Sequence, residues 1–374
     1  MPLPNPTRRA LLRRTAEGGA ALALNAVAFA QPAGAPLLGS DTGAEFITAD
    51  TQAAIDRGLA TIAAAQNEDG SFSDPNNRIL GTGSVAGISG LCGLALMAAG
   101  HQPGRGKYGR NVSRLVDYML KIGGNRGYLT AQEFGGHQSG MYSHGFASLF
   151  LAEVCGMLPG ADRQKRVRAL LEQATGFALK AQNNQGGWRY NPTPQDADVS
   201  VTVAFMMALR AARNAGVFVR KDAIRSGAAY IRGCQQGDGG FAYMKGLGFS
   251  AFARSAAAVV GLFSASVPED EDANGRAIDR GLKYLAKFTP GPQFNQREVP
   301  QQHYYYGHYY AALAMWTAGG DHWRKWFPAV RDELLARGRA GGGSWTDLSG
   351  TAYATAMSLI VLQLPNNYLP ILQK

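Results

Sequence analysis

The sequence predicts an all-α fold of six helical hairpins in one repetitive domain. Three observations point there: glycine-aromatic turns recur at near-constant intervals, amphipathic helical segments alternate with wholly apolar ones, and the composition favours a large core. The chain has 374 residues, 46% hydrophobic and 17% charged, with 48 glycines. Glycine at that level without a collagen period marks tight turns and closely approaching helices.

The turns read Asp69-Gly70-Ser71-Phe72, Arg126-Gly127-Tyr128, Gly186-Gly187-Trp188, Gly239-Gly240-Phe241 and Gly342-Gly343-Ser344-Trp345. Their aromatics lie 56, 60, 53 and 104 residues apart, and the last interval holds two repeats. A degenerate unit therefore lies between, where Gly281-Leu282-Lys283-Tyr284-Leu285 keeps the helix and Pro290-Gly291-Pro292-Gln293-Phe294 replaces the turn. A period of this size is the mark of a stacked or closed repeat architecture.

Each unit has an amphipathic helix before its turn. These are expected at about 50–66, 110–122, 163–181, 221–234, 274–287 and 322–337, with apolar residues at helical spacing, as in Ile55, Leu59 and Ile62. Second helices, rich in Ala, Gly, Leu, Val and Met, are expected at about 84–99, 143–157, 198–214, 250–265, 306–318 and 351–364. A helix apolar on every side must be buried, so the second set forms the inner layer.

Residues 1–30 stand apart from the fold. Thr7-Arg8-Arg9-Ala10-Leu11-Leu12-Arg13, an apolar stretch over residues 18–29 and Ala28-Phe29-Ala30 match a twin-arginine-type export signal with its cleavage site. The alternative is an uncleaved anchor. Residues 31–45 read as a flexible mature terminus and 46–374 as the folded domain. Cleavage removes four arginines and Glu17, lowering the formal charge from +10 to +7. No basic block is interleaved with aromatics, so nucleic acid is excluded as a partner, while an anionic ligand or lipid surface is compatible with the charge. Cys92, Cys155 and Cys234 are too few and too scattered for a zinc motif or a disulfide scaffold and read as buried thiols.

Gln182, Gly186, Gly187 and Trp188 form a Q-x3-G-G-W turn followed by a helix. It resembles the QW repeat of the terpene cyclase and protein prenyltransferase superfamily. The likeness extends over roughly residues 46–364 and implies an α/α toroid of six hairpins, with inner and outer helix rings. In such toroids, ligands enter where the inner helices begin. Squalene-hopene cyclases start one inner helix with D-x-D-D-T-A, the middle aspartate being the acid. This chain reads Asp198-Val199-Ser200-Val201-Thr202-Val203, keeping the first aspartate and placing Ser200 at the acid. A serine cannot protonate an alkene. Asp196 and Asp198 also suit an N-cap, which leaves capping and ligand orientation both open for them.

Tyr304-Tyr305-Tyr306-Gly307-His308-Tyr309-Tyr310 is similar to the histidine-bearing helix start of protein prenyltransferases. No Asp-x-Cys accompanies it, so neither zinc nor any other cofactor is expected. Cys92-Gly93-Leu94-Ala95 lacks the pattern of thioester domains. The candidates at the mouth are therefore Asp198, His144 and His308 for chemistry, with Tyr142, Asp196, Ser200, Phe249, Arg254, Tyr306, Tyr309 and Tyr353 for ligand binding. Arg254 sits in the apolar helix SAFARSAAAVVGL, where it pairs with a carboxylate such as Asp198 or receives an anionic ligand. The cost of an unpaired buried charge favours the pair.

Three functions fit. The leading one is an exported toroid that binds an isoprenoid-like apolar ligand among its aromatics, with processing of that ligand left open. The second is a non-catalytic interaction protein that uses the ring to hold a membrane surface or envelope protein. The third is a glycan-active enzyme drawing on Asp198, Asp347, His144, His308 and Tyr309.

Overall fold

The computed structural model describes residues 43–74, 77, 84–124, 126–130, 140–265, 268–291 and 303–373. The export-signal expectation and most of the expected tail lie outside the described residues, as does Phe294. Gly43–Phe46 form a 3-10 turn, and Phe46 packs edge-on against Trp323 and Phe327 at 5.8 and 5.6 Å.

Twelve α-helices follow, and no strand occurs among the described residues. The odd-numbered ones are α1 (Ala49–Ala64), α3 (Gly109–Gly123), α5 (Ala161–Lys180), α7 (Lys221–Gly233), α9 (Glu271–Leu285) and α11 (Gly320–Ala340). The even-numbered ones are α2 (Val85–Ala98), α4 (Gly140–Val154), α6 (Val199–Asn214), α8 (Phe252–Ala265), α10 (Tyr304–Ala318) and α12 (Thr351–Gln363). All lie within a few residues of the expected spans.

Each even helix packs on the next, and α12 returns to α2, so the inner layer is a closed ring. Every odd helix lies outside, in the groove between the inner helix of its own unit and that of the preceding unit. The split follows from composition. In α2 every residue but Val85 is buried, whereas α1 buries only the stripe Thr51, Ala54, Ile55, Gly58, Leu59 and Ile62.

The turns supply the joints. At the end of α5, Gln182 Nε2 donates to the carbonyl of turn residue Gly186 (2.7 Å) and to that of Ala223 in α7 (2.9 Å). Gln66 and Gln235 repeat this, bonding Gly70 and Asn111, and Gly239 and Ala277. Gly186 has φ +93°, and a Cβ on it would lie 2.3 Å from the Ser226 carbonyl oxygen of α7. Only glycine permits that conformation and that approach.

The residue after the glycines then plugs inward. The Trp188 N–H donates to Thr202 Oγ1 (3.1 Å), Phe72 to Ser89 Oγ (2.8 Å), Phe241 to Ser255 Oγ (2.8 Å) and Trp345 to Thr355 Oγ1 (3.1 Å). In unit two the plug is Leu129 rather than the expected Tyr128, and its N–H meets the ring of His144. Leu129 is fully buried.

Two further features shape the interior. Ring closure is capped across the repeats, where Asp74 Oδ2 accepts the Ala352 N–H of α12 at 2.9 Å. At the C-terminal end of the inner helices the chain crosses the ring. Asn366 bonds the Ala98 carbonyl of α2, the Ile371 N–H bonds Glu153 of α4, and Trp316 Nε1 of α10 bonds the Leu372 carbonyl. Leu369, Ile371 and Leu372 are buried there. The C-terminal segment thus covers the end of the described inner ring where its helices finish.

Trp188 is fully buried, stacks on Phe205 at 5.3 Å and donates Nε1–H to the Ala178 carbonyl (2.7 Å). Trp188→Ala is expected to lower unfolding stability by about 3–5 kcal/mol, read from the shift in denaturant midpoint. A loss under about 1 kcal/mol would contradict the joint's role.

Candidate functional site

Asp198 is held on three sides. Its N–H donates to the Trp188 carbonyl (3.0 Å) and the Val199 N–H donates to the Tyr243 carbonyl (3.0 Å), tying the start of α6 to units three and four. As N-cap of α6 it accepts the Val201 N–H on Oδ1 at 3.0 Å. Capping therefore uses one oxygen. Oδ2 is buried with no hydrogen bond, and Arg189 Nε stands 3.8 Å away.

Burial raises the Asp198 carboxyl to about 7, against the lowering effects of the Val201 N–H, Arg189 and the Ser200 N–H. Desolvation penalises the charged form, and these polar neighbours offset it only in part. Near neutral pH both protonation states are populated.

Facing it is a floor of hydroxyls. Tyr142 from α4, Ser200 from α6 and Tyr306 from α10 are half-buried, and the two phenols are near enough to each other, to the Ser200 hydroxyl and to Asp198 for each to be felt in their ionisation. Because α4 and α10 are not neighbours in the inner ring, these side chains meet across its centre. Burial pushes the Tyr306 phenol up to about 12 and that of Tyr142 well above its ordinary range. Tyr309, Tyr310 and Tyr353 are buried and couple electrostatically to Tyr306.

Two arginines approach one tyrosine. Arg189 lies over the Tyr190 ring (5.3 Å) and the Tyr243 ring (5.7 Å) and is ion-paired to Asp196. Arg254 lies over Tyr243 at 5.9 Å, and the Tyr190 and Tyr243 hydroxyls are hydrogen-bonded. The partner of Asp198 is accordingly Arg189, not Arg254 as the charge argument favours. The bridge between Trp188 and Asp198 brings the residue after Trp188 alongside the carboxyl. Sequence reasoning passed over Arg189, Tyr190 and Tyr243 because they lie in turns; their place directly after the plug residue, or two beyond it, is the available signal.

The two histidines occupy the joint column. His144 and His308 stand at the inner-helix register held elsewhere by Ser89, Thr202, Ser255 and Thr355. His144 Nδ1 accepts the Leu129 N–H (3.2 Å) and Nε2 contacts the Ala174 carbonyl (3.1 Å), which fixes the tautomer. Burial pushes it down to about 4 and keeps it neutral. His308 packs against Tyr304, Phe252 and Trp326 at 4.5, 5.0 and 6.0 Å, and burial pushes it down to about 3. Trp326 belongs to outer helix α11, so His308 is turned toward the wall rather than toward Tyr142 and Ser200.

The remaining candidates separate by exposure. Phe249 is 88% exposed, on a protruding turn that begins with the Met244 and Leu247 bridge, and Asp196 is exposed. Asp347, before α12, accepts the Ser349 N–H on Oδ1 (2.7 Å), while Oδ2 is buried without a hydrogen bond. Burial raises this carboxyl to about 6. Among the described residues no group of three or more His, Cys, Asp or Glu is placed to hold a metal, and Cys92, Cys155 and Cys234 are buried thiols.

No family model and no curated protein matches the chain. In structure it is similar to a type II terpene cyclase from Scytonema in complex with geranylgeranyl dihydroxybenzoate, at 15% identity and TM-score 0.55, covering 86% of this chain and 98% of that one. It is also similar to an inactive variant of an α-1,6-mannanase from Salegentibacter sp. bound to α-1,6-mannotriose, at 8% identity and TM-score 0.58, covering 84% and 98%. An α-mannanase from Bacteroides thetaiotaomicron gives 12% identity and TM-score 0.57, covering 88% and 98%. The fold is an α/α toroid. Its structural neighbours include both terpene cyclases and glycan-active enzymes, and what all of them share with this toroid is architecture.

The Asp198 environment makes a stability signature. A carboxyl raised in the folded state contributes stability that is present below its ordinary value of 3.8 and is lost as pH rises toward about 7. Asp198→Asn keeps an oxygen for the Val201 N–H but does not titrate. Wild type is therefore expected to lose stability relative to Asp198→Asn across that window, measured as paired denaturant midpoints at several pH values. A pH-independent difference would rule out a raised Asp198.

Proposed function

We propose that this chain is a toroid enzyme in which Asp198 donates a proton to an isoprenoid-like apolar ligand held over Tyr142, Ser200 and Tyr306. The observation that carries the reading is Asp198 Oδ2, a buried oxygen without a hydrogen bond on a carboxyl raised to about 7. Titratable groups displaced in this way, sitting among aromatic walls, are what general-acid sites require. Once the proton has left, the carboxylate keeps the Val201 N–H on Oδ1 and has Arg189 Nε 3.8 Å from Oδ2. The structural neighbour that holds geranylgeranyl dihydroxybenzoate supports an apolar, prenylated ligand.

The strength of the acid narrows the acceptor. A carboxyl at about 7 is a weak acid, better matched to an oxygen, such as an epoxide on a prenyl chain, than to an isolated alkene. This agrees with Ser200 standing where squalene-hopene cyclases carry their acid. The twin-arginine-type motif over residues 7–13 supports a proposal that this work is done in the periplasm or envelope.

A second reading is glycan hydrolysis, and Asp347 favours it. Two raised carboxyls, Asp198 and Asp347, and a hydroxyl-rich floor are also what a pair of glycosidase acids would need. The mannanase likeness lends support.

The deciding experiment offers purified protein a series of prenyl alcohols, their terminal epoxides and a polysaccharide panel, with products read by mass spectrometry. Product is expected from the epoxides, falling about 100-fold or more in Asp198→Asn with binding little changed. Epoxide turnover that survives Asp198→Asn would sink the assignment. Polysaccharide cleavage lost in both Asp198→Asn and Asp347→Asn would transfer it to the glycan reading.

A further inference from the structure

Arg189 stands between two carboxylates in very different surroundings. Its Nη1 is paired with Asp196, whose side chain is 53% exposed, and its Nε lies 3.8 Å from Oδ2 of Asp198, whose side chain is fully buried. The second separation is too long for a hydrogen bond. Neither atom is satisfied elsewhere, for Arg189 Nε and Asp198 Oδ2 are both buried without a hydrogen bond. An orphaned donor beside an orphaned acceptor of opposite charge closes on it unless something opposes the movement, since each carries the cost of an unmade bond. A charge-assisted contact would need an approach of only about 1 Å.

The opposing restraint comes from the surface side. Asp196 and Asp198 flank Ala197, which is buried and fixed by the Tyr230 hydroxyl donating to its carbonyl at 2.5 Å. The guanidinium is also seated over the rings of Tyr190 and Tyr243, at 5.3 and 5.7 Å. Arg254 lies over the same Tyr243 ring, at 5.9 Å. The other groups that feel Asp198 are Tyr142 and Tyr306 across the ring, Tyr190, Tyr230 of α7 and Cys234 at the end of α7. Burial pushes the ionisation of each upward and keeps it neutral. The charges that bear most on the carboxyl are therefore Arg189, which favours its ionised form, and Asp196, which disfavours it.

We infer that Asp196 is a positioning residue that holds Arg189 off Asp198, so that the buried carboxyl can carry a proton. Asp196 acts through Arg189 and makes no contact with the ligand. That the proton goes to a ligand rests on the function proposed above; the restraint on Arg189 does not. Released from Asp196, the guanidinium closes on Oδ2 and retains the carboxylate in its charged form. Asp198 then titrates at lower pH, and turnover, which needs the protonated form, is lost at lower pH.

Infrared difference spectroscopy follows the protonated Asp198 carboxyl by its C=O stretch, assigned by its loss in Asp198→Asn. Wild type is expected to titrate at about 7, Asp196→Ala about one pH unit or more lower, and Asp196→Glu close to wild type. Asp196→Ala also removes a nearby negative charge, so the same substitution is made in Arg189→Gln. There the shift is expected to shrink to about a third or less, because no guanidinium is left to close. An equal shift in both backgrounds, or no shift in the wild-type background, overturns the inference. In the epoxide assay, Asp196→Ala is expected to lower kcat at neutral pH with KM little changed and to recover toward wild type on acidification, which a folding defect would not do. The expected titrations without turnover of any epoxide would uphold the restraint on Arg189 and end the proton-donor reading instead.

Discussion

Everything in this molecule hangs on one joint, in which a single glutamine amide bonds two carbonyls at once. Gln182 ties the turn glycine of its own unit to the outer helix of the next, and Gln66 and Gln235 do the same elsewhere. Each bond contributes only about 1 kcal/mol net. Repetition gives them their force, because an identical joint sets the same rotation between successive units and makes the array curve back on itself. The inner ring then meets itself at α12 and α2, leaving no apolar end to cover.

The joint also decides which side chains are left for chemistry. Where the turn is described, the inner-helix position that faces it is taken by Ser89, His144, Thr202, Ser255 or Thr355, so those groups serve the wall. Asp198 is the exception. Its backbone and Oδ1 belong to the joint, while Oδ2 faces away from it, unbonded and desolvated. A loop carboxylate would relax into water. This one cannot, since moving it would break the cap of α6 and the bonds that tie units three and four together.

Much of the fold was legible in the sequence. Helix periodicity and glycine turns locate all twelve helices within a few residues, because burial on one face or on all faces writes itself directly into residue type. The site was less legible. Asp198 was visible as a cap, yet its ion pair is made with a neighbour brought in by the turn, Arg189, which carries no motif. His144 and His308 look catalytic as isolated letters. Aligning the described turns by their plug residues, rather than by the nearest aromatic, puts His144 in the Ser/Thr column, where its position along the inner helix also puts His308, and the same alignment replaces Tyr128 with Leu129. What no alignment of repeats shows is contact across the ring, such as Tyr142 with Tyr306.

The cap that Asp74 places on α12 has a kinetic meaning. These residues are 278 positions apart in sequence, and the C-terminal crossing adds contacts of similar span, such as Asn366 with Ala98. Neighbouring units can dock as they emerge from the ribosome, but the circle stays open until its sixth unit exists, and such long-range contacts form slowly. An unfinished chain would expose two raw apolar edges, one on α2 and one on the last helix made. How long that open arc survives therefore matters to the yield of folded protein, as well as the stability of the finished ring.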